Sequence, residues 1–164
     1  MATESITDPV LGEGEIFFPG KKEAWATFKK EFPPTNSRVL ILASAVNGSV
    51  PQAQRDLYRE LEDWYPSGVQ EAHAAIRREI ESDEGVRKWL PPDTDLSRDQ
   101  LERLRNWLPP DQVAKRLQLI RMDIRIPFTP PAKCVLTYRS DPNEPVWYVR
   151  IGEDSHVEWC GLGD

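Results

Sequence analysis

The hydrophobic period of the chain changes twice. From Glu15 to Ala45 apolar residues come in short runs between turn dipeptides, from Ser49 to Leu117 they recur at helical spacing, and from Leu119 onward they alternate. Glu15–Phe18 is strand-like and ends at the turn dipeptide Pro19-Gly20. In Ala24–Phe32, Trp25, Phe28 and Phe32 fit helical spacing, whereas Trp25 and Thr27 after a turn fit the return strand of a hairpin; the neighbouring segments favour the strand. Val39–Ala45 is an apolar run of strand length, which predicts a strand buried on both faces. Residues 1–7 are polar and predicted to be a disordered, frayed lead-in.

The middle of the chain predicts about three helices. Ser49 offers a cap with Pro51 in the first turn, and Leu57, Tyr58, Leu61, Trp64 and Tyr65 form an apolar stripe. Pro66-Ser67-Gly68 interrupts it, and Val69, Ala72, His73, Ile76 and Ile80 form the stripe of a second helix that stops near Gly85. Ser97 with Gln100 makes a capping box, Leu96 with Leu101 a hydrophobic staple, and Leu101, Leu104 and Leu108 carry a third helix to Pro109. Asp111–Leu117 predicts one or two further turns.

Beyond Leu119, Ile120, Met122, Ile124 and Ile126 alternate with Arg121, Asp123 and Arg125, the pattern of a half-buried strand. Cys134, Leu136 and Tyr138 alternate with Val135, Thr137 and Arg139, and Trp147, Val149 and Ile151 with Val146, Tyr148 and Arg150. A last strand spans His156–Cys160 after the turn at Gly152-Glu153-Asp154-Ser155. Strands, then helices, then an antiparallel β-meander that needs helices over one face define a two-layer α+β fold, with residues 1–164 as a single domain.

A repeat punctuates the helical region. Trp89-Leu90-Pro91-Pro92-Asp93 recurs as Trp107-Leu108-Pro109-Pro110-Asp111, which marks residues 86–111 as a duplicated helical insertion. Pro-Pro favours polyproline II and invites a peptide-docking reading. Each Trp-Leu sits on or beside a helical stripe and no P-x-x-P spacing follows, so a pair of helix stops, each pinned by a Trp, explains the repeat better. Trp89, Trp107, Asp93 and Asp111 are the candidate interaction residues, because the insertion is the most distinctive segment of the chain.

Charge narrows the partners. The formal net charge is −6, which repels phosphate backbones and argues against nucleic acid, while an acidic surface suits a basic protein partner. Six Trp residues are a heavy load of potential core or interface anchors. No apolar run reaches membrane-spanning length and no signal-peptide pattern opens the chain, so no membrane association and a cytoplasmic location are expected. Cys134 and Cys160 read as reduced thiols in that setting, with their proximity left open.

Chemistry-bearing residues are sparse. His73 falls on an apolar stripe and reads as a core histidine. Asp154, Ser155 and His156 suggest a triad only superficially, since consecutive residues cannot converge as nucleophile, base and orienter. There is no helix-spaced histidine pair and no C-x-x-C, and a calcium loop starting at Asp93 fails at Arg98 and Leu104. No catalytic, cofactor-binding or metal-binding residue is assigned on this reading, and no cofactor is expected. Basic residues from Arg98 to Arg125 are interleaved with Asp99, Glu102, Asp111 and Asp123 and read as a solvated face.

Asp8-Pro9-Val10-Leu11-Gly12, the Trp25-bearing hairpin, the central helices and the closing meander together resemble a group of uncharacterised bacterial α+β domains that open with D-P-V-L-G. In that group a segment like Leu117-Gln118-Leu119-Ile120 introduces the final sheet. The chain departs at its end, where the group often shows aromatic-Gly-His; here His156 is followed by Val157-Glu158-Trp159. The resemblance implies a small bacterial protein of the kind suspected to act beside toxins, and names no catalytic residue. Three functions are therefore expected in order. The first is a non-catalytic, immunity-like interaction module that binds a protein through an acidic surface. The second is a small-molecule enzyme with Glu60, Asp63, Glu79 and Asp83 converging in one cleft, and the third an assembly subunit using Trp residues at a homo-oligomer interface.

Overall fold

The computed structural model describes residues 2–82, 102, 106, 109–125, 131–142 and 146–163. Eight strands form one sheet in sequence order: β1 (Thr3–Asp8), β2 (Gly12–Phe17), β3 (Glu23–Phe32), β4 (Ser37–Val46), β5 (Gln118–Asp123), β6 (Cys134–Arg139), β7 (Val146–Ile151) and β8 (Val157–Gly163). Every neighbouring pair is antiparallel except β4 and β5, which run parallel. Two four-stranded meanders are thus joined along one parallel seam. A parallel neighbour requires a long crossover, and the helix α1 (Gln52–Glu81) supplies its first part. The fold is α+β.

The seam is built from the most apolar strand. Val39, Ile41, Ala43 and Ala45 on one face of β4 are all buried, and on the other face Leu42 is buried while Leu40 and Ser44 are partly covered. The helix covers the first of these faces. Tyr58, Leu61, Tyr65, Ala72, Ile76 and Ile80 meet Phe28 and Phe32 of β3, Leu136 and Tyr138 of β6, and Val149 and Ile151 of β7 in one core. Phe32 meets the Tyr65 ring edge-on at 5.2 Å, and the Tyr138 hydroxyl donates to that of Tyr65 at 3.1 Å. Lys30 extends its ammonium over the Tyr58 ring, 5.7 Å from the centroid.

The expectation of about three helices is corrected. α1 runs unbroken for 30 residues through Pro66, and the other described helix is the short α2 (Val113–Arg116), preceded by a 3-10 turn at Pro110–Gln112. Pro66 removes one intrahelical bond, at a cost of about 3 kcal/mol in an isolated helix. The buried positions Tyr58, Leu61, Tyr65, Gly68, Ala72, Ala75 and Ile76 nevertheless keep their three-four spacing across it. Packing of a single continuous stripe therefore outweighs the local break. Gly68 acts as a slot: a Cβ there would stand 2.1 Å from the indole of Trp64, one turn earlier. Of the predicted third helix only Glu102 and Asn106 are described, both helical; the remainder lies outside the described residues.

Three further expectations change. The polar lead-in at residues 1–7 contributes an edge strand, with β1 in register against β2 from Thr3 to Asp8. Ser49 does not cap the helix; α1 starts behind Pro51, whose carbonyl accepts from Gln54, while Ser49 closes a turn on Val46. In β5 a bulge between Leu119 and Arg121 shifts the phase, so Leu119 joins Met122 and Ile124 in the core in place of Ile120. Strands β6 and β7 follow the alternation read from the sequence, Ala24–Phe32 takes the strand alternative within β3, and β4 is fully buried on one face and only partly on the other. Cys134 and Cys160 are buried thiols. Cys134 pairs with Ile151 and Cys160 with Val149, so they lie two strands and two residues apart, roughly 12 Å. That is too far for a disulfide. Among the described residues, no helix is long and apolar enough to cross a membrane.

Candidate functional site

The Asp8-Pro9-Val10-Leu11-Gly12 motif explains itself once folded. Asp8 ends β1, and its Oδ1 accepts from the backbone N–H of Val10 at 2.8 Å and of Leu11 at 2.9 Å. Its Oδ2 accepts from Arg55 Nε at 2.8 Å, which ties the β1–β2 turn to the first turn of α1. Gly12 takes the left-handed φ of +85° needed to re-enter a strand, and Leu11 plugs the core. Burial pushes the Asp8 carboxyl up, but the two N–H donors and Arg55 outweigh it and hold the group below the usual carboxylate range. The motif is a structural lock, and its carboxylate is already fully engaged.

Beside this lock lies a depression bordered by exposed acids. On the sheet face away from α1, Ser5 and Thr7 of β1 stand opposite Glu15 and Glu13 of β2, and Glu15 stands opposite Thr27 of β3. With Lys29 these side chains line a trough of about 520 Å³. The small side chains on the edge strand leave the two carboxylates accessible from the side, and both glutamates are exposed. The first twenty residues contain Glu4, Asp8, Glu13 and Glu15 and no Lys or Arg. With Asp8 neutralised by Arg55, the hairpin presents three exposed glutamates, and Lys29 is the cation that borders the trough.

The same sheet face carries aromatics farther along. Phe17 stacks on Trp25 at 4.2 Å, and Arg125, held by Asp123 at 2.6 Å, lies over the Trp25 ring. Arg121 reaches Tyr148, with its guanidinium 5.7 Å from the ring centroid. Arg121 and Arg125, expected on a solvated exterior, are instead half-buried on the sheet. A second depression of about 410 Å³ lies near the opposite edge, lined by Val135, Arg150, Glu158 and Trp159, and Arg150 and Glu158 are ion-paired there at 3.2 Å.

The residues singled out in the sequence do not gather here. Trp89, Asp93 and Trp107 lie outside the described residues. Asp111 is exposed in the 3-10 turn and accepts from Gln112 Nε2 at 3.2 Å, while the neighbouring Pro110 carbonyl accepts from Arg77 of α1 at 3.1 Å. The second pentapeptide thus ends docked on the helix. The carboxylates of the enzyme reading are dispersed: Glu79 lies nineteen residues beyond Glu60 on α1, roughly 28 Å along its axis, and Asp83 is outside the described residues. Asp63 is exposed.

Ser155 and His156 diverge as their positions predict. Lys133 bridges Ser155 Oγ at 2.6 Å and the Glu60 carboxylate, whereas the His156 ring faces Glu71 at 3.2 Å. Glu71 also accepts the Val157 N–H at 3.0 Å, so both contacts fasten the β7–β8 turn to α1. His73 meets the Tyr138 ring edge-on at 5.6 Å, and burial, with Arg77 nearby, holds its pKa below the ordinary value. Among the described residues no three His, Cys, Asp or Glu side chains group as metal ligands.

Sequence reasoning passed over Glu13 and Glu15. The available signal was Glu-Gly-Glu at strand spacing inside a stretch without a single basic residue. No family model, curated protein or solved structure matches the chain.

Proposed function

We propose that the protein is a non-catalytic interaction module that binds a basic protein partner through the acidic outer surface of its first hairpin. The observation that carries this reading is the trough in which Glu13 and Glu15 stand exposed behind Ser5 and Thr7, without an opposing cation on the edge side. An immunity-like role in a bacterial cytoplasm accords with the D-P-V-L-G resemblance and with two buried, unbridged thiols. Nucleic acid is disfavoured as a partner by the same negative charge.

Affinity capture from the native host, with wild-type protein and a Glu13→Gln/Glu15→Gln double variant as parallel baits, tests the reading. A stoichiometric partner retained by the wild type and lost by the variant is expected. No partner, or equal retention by both baits, overturns it.

A further inference from the structure

We propose that the trough receives an extended, basic segment of the partner as an added strand on the free edge of β1, a mode that rests on the protein-binding reading above. β1 is the terminal strand of the sheet, and among the described residues no strand lies outside it. Natural sheets blunt such edges with lysines, prolines, bulges or covering elements. Thr3–Asp8 contains no Lys and no Pro, its charged residues are the exposed Glu4 and the inward Asp8 that Arg55 neutralises, and its pairing with β2 runs without a register shift. The opposite edge differs: β8 pairs through a bulge at Arg150 and packs against α1. An edge that no described element covers is the kind of surface that β-strand addition uses, with main-chain bonds for affinity and alternate side chains for selectivity.

The side-chain chemistry selects the occupant. An added strand would point every second residue onto the outer face, beside Ser5 and Thr7. The next row inward holds Glu15 and Glu13 at the same two-residue spacing. Lys and Arg are long enough to cross the small hydroxyl residues and reach those carboxylates, and their apolar stems would lie in the trough. The recognised segment is therefore an extended run with basic residues at alternate positions. A second copy of this chain fits poorly, because antiparallel pairing of two β1 strands brings the acidic hairpins of both copies together.

The test uses the full chain and three capped octapeptides: alternating Lys-Thr, alternating Glu-Thr, and a Lys-Lys-Thr-Thr repeat with the same composition as the first. Calorimetry gives affinity, and amide hydrogen exchange reports on β1. The alternating Lys-Thr peptide should bind and slow exchange in β1, the block-repeat peptide should bind about tenfold more weakly, and the Glu-Thr peptide should not bind. Glu13→Gln/Glu15→Gln should weaken the first peptide about fivefold. Ser5→Lys/Thr7→Lys, which fills the trough with like charge, should abolish its binding, with unchanged circular dichroism showing that the sheet is intact. Equal binding of both basic peptides without protection of β1 overturns strand addition and leaves the acidic-surface reading standing. Failure of every basic peptide counts against both. Slowed β1 exchange in the free protein together with a doubled mass by light scattering would assign the edge to self-association and overturn the proposal.

Discussion

Asp8→Asn separates the charge of the D-P-V-L-G lock from its shape. The amide oxygen of Asn can still accept from the N–H groups of Val10 and Leu11, but its NH2 replaces the carboxylate oxygen that meets Arg55 at 2.8 Å. A hydrogen bond to a charged group contributes about 1.5–3 kcal/mol. The Asp8 side chain is 1% exposed whereas Arg55 is 20% exposed and also touches Gln52, so the orphaned guanidinium can recover water. A loss near about 1.5 kcal/mol, the low end of that range, is expected. Asp8→Ala additionally strands the buried Leu11 N–H and should cost about 3–5 kcal/mol, a large share of a typical domain's stability of about 5–15 kcal/mol.

The pH dependence of this effect has a definite sign. The folded-state pKa of Asp8 is depressed, so its contribution is present above the ordinary carboxylate value and is lost as pH falls through the folded value. Urea denaturation followed by Trp fluorescence should show the gap between wild type and Asp8→Asn closing progressively as the pH falls below about 5. A gap below about 0.5 kcal/mol at neutral pH, or one that stays constant on acidification, refutes this account of the motif.

Gly68→Ala forces a methyl into the Trp64 indole and should destabilise by about 1–3 kcal/mol in thermal melts, yet become stabilising by about 1 kcal/mol in a Trp64→Ala background. Tyr138→Phe leaves the buried Tyr65 hydroxyl without its donor and should cost about 1–2 kcal/mol, whereas the double change with Tyr65→Phe should be milder; a larger loss in the double variant would contradict the paired-hydroxyl account. Both thiols should resist a disulfide-exchange reagent at about pH 8 until denaturant is added, because burial pushes Cys160 up to about 12 and Cys134 higher still. Rapid labelling of the native protein would contradict their burial.

The strands were legible where one face is dry. In β6 and β7 every second residue is buried beneath α1, so the alternation of Cys134, Leu136 and Tyr138 with their neighbours carries the register directly. Legibility failed where tertiary contacts overrule a local signal. Pro66 is a strong helix breaker in isolation, but the stripe from Tyr58 to Ile76 continues across it, and that phase is visible only when both sides are read as one helix. β1 resembles a frayed tail because an edge strand needs little apolar surface once its partner is in place. The bulge in β5 defeats any strict alternation, since Ile120 is as apolar as the Leu119 that replaces it in the core. The acidic trough was hidden for another reason. Glu13 and Glu15 look like ordinary solvated acids until the register sets the short Ser5 and Thr7 beside them.

The parallel seam between β4 and β5 bears on how this sequence could have grown. Extra residues in a hairpin turn disturb the register of both flanking strands, and six such antiparallel ladders are formed here. The crossover from Val46 to Gln118 is different, because its length is not fixed by any ladder. Doubling the length of a connection adds only about 0.6 kcal/mol of closure entropy. Both copies of Trp-Leu-Pro-Pro-Asp fall inside this one connection. The seam thus gives the fold a place where segments can be copied and kept without re-registering the sheet, and the repeat sits where such a copy is tolerated.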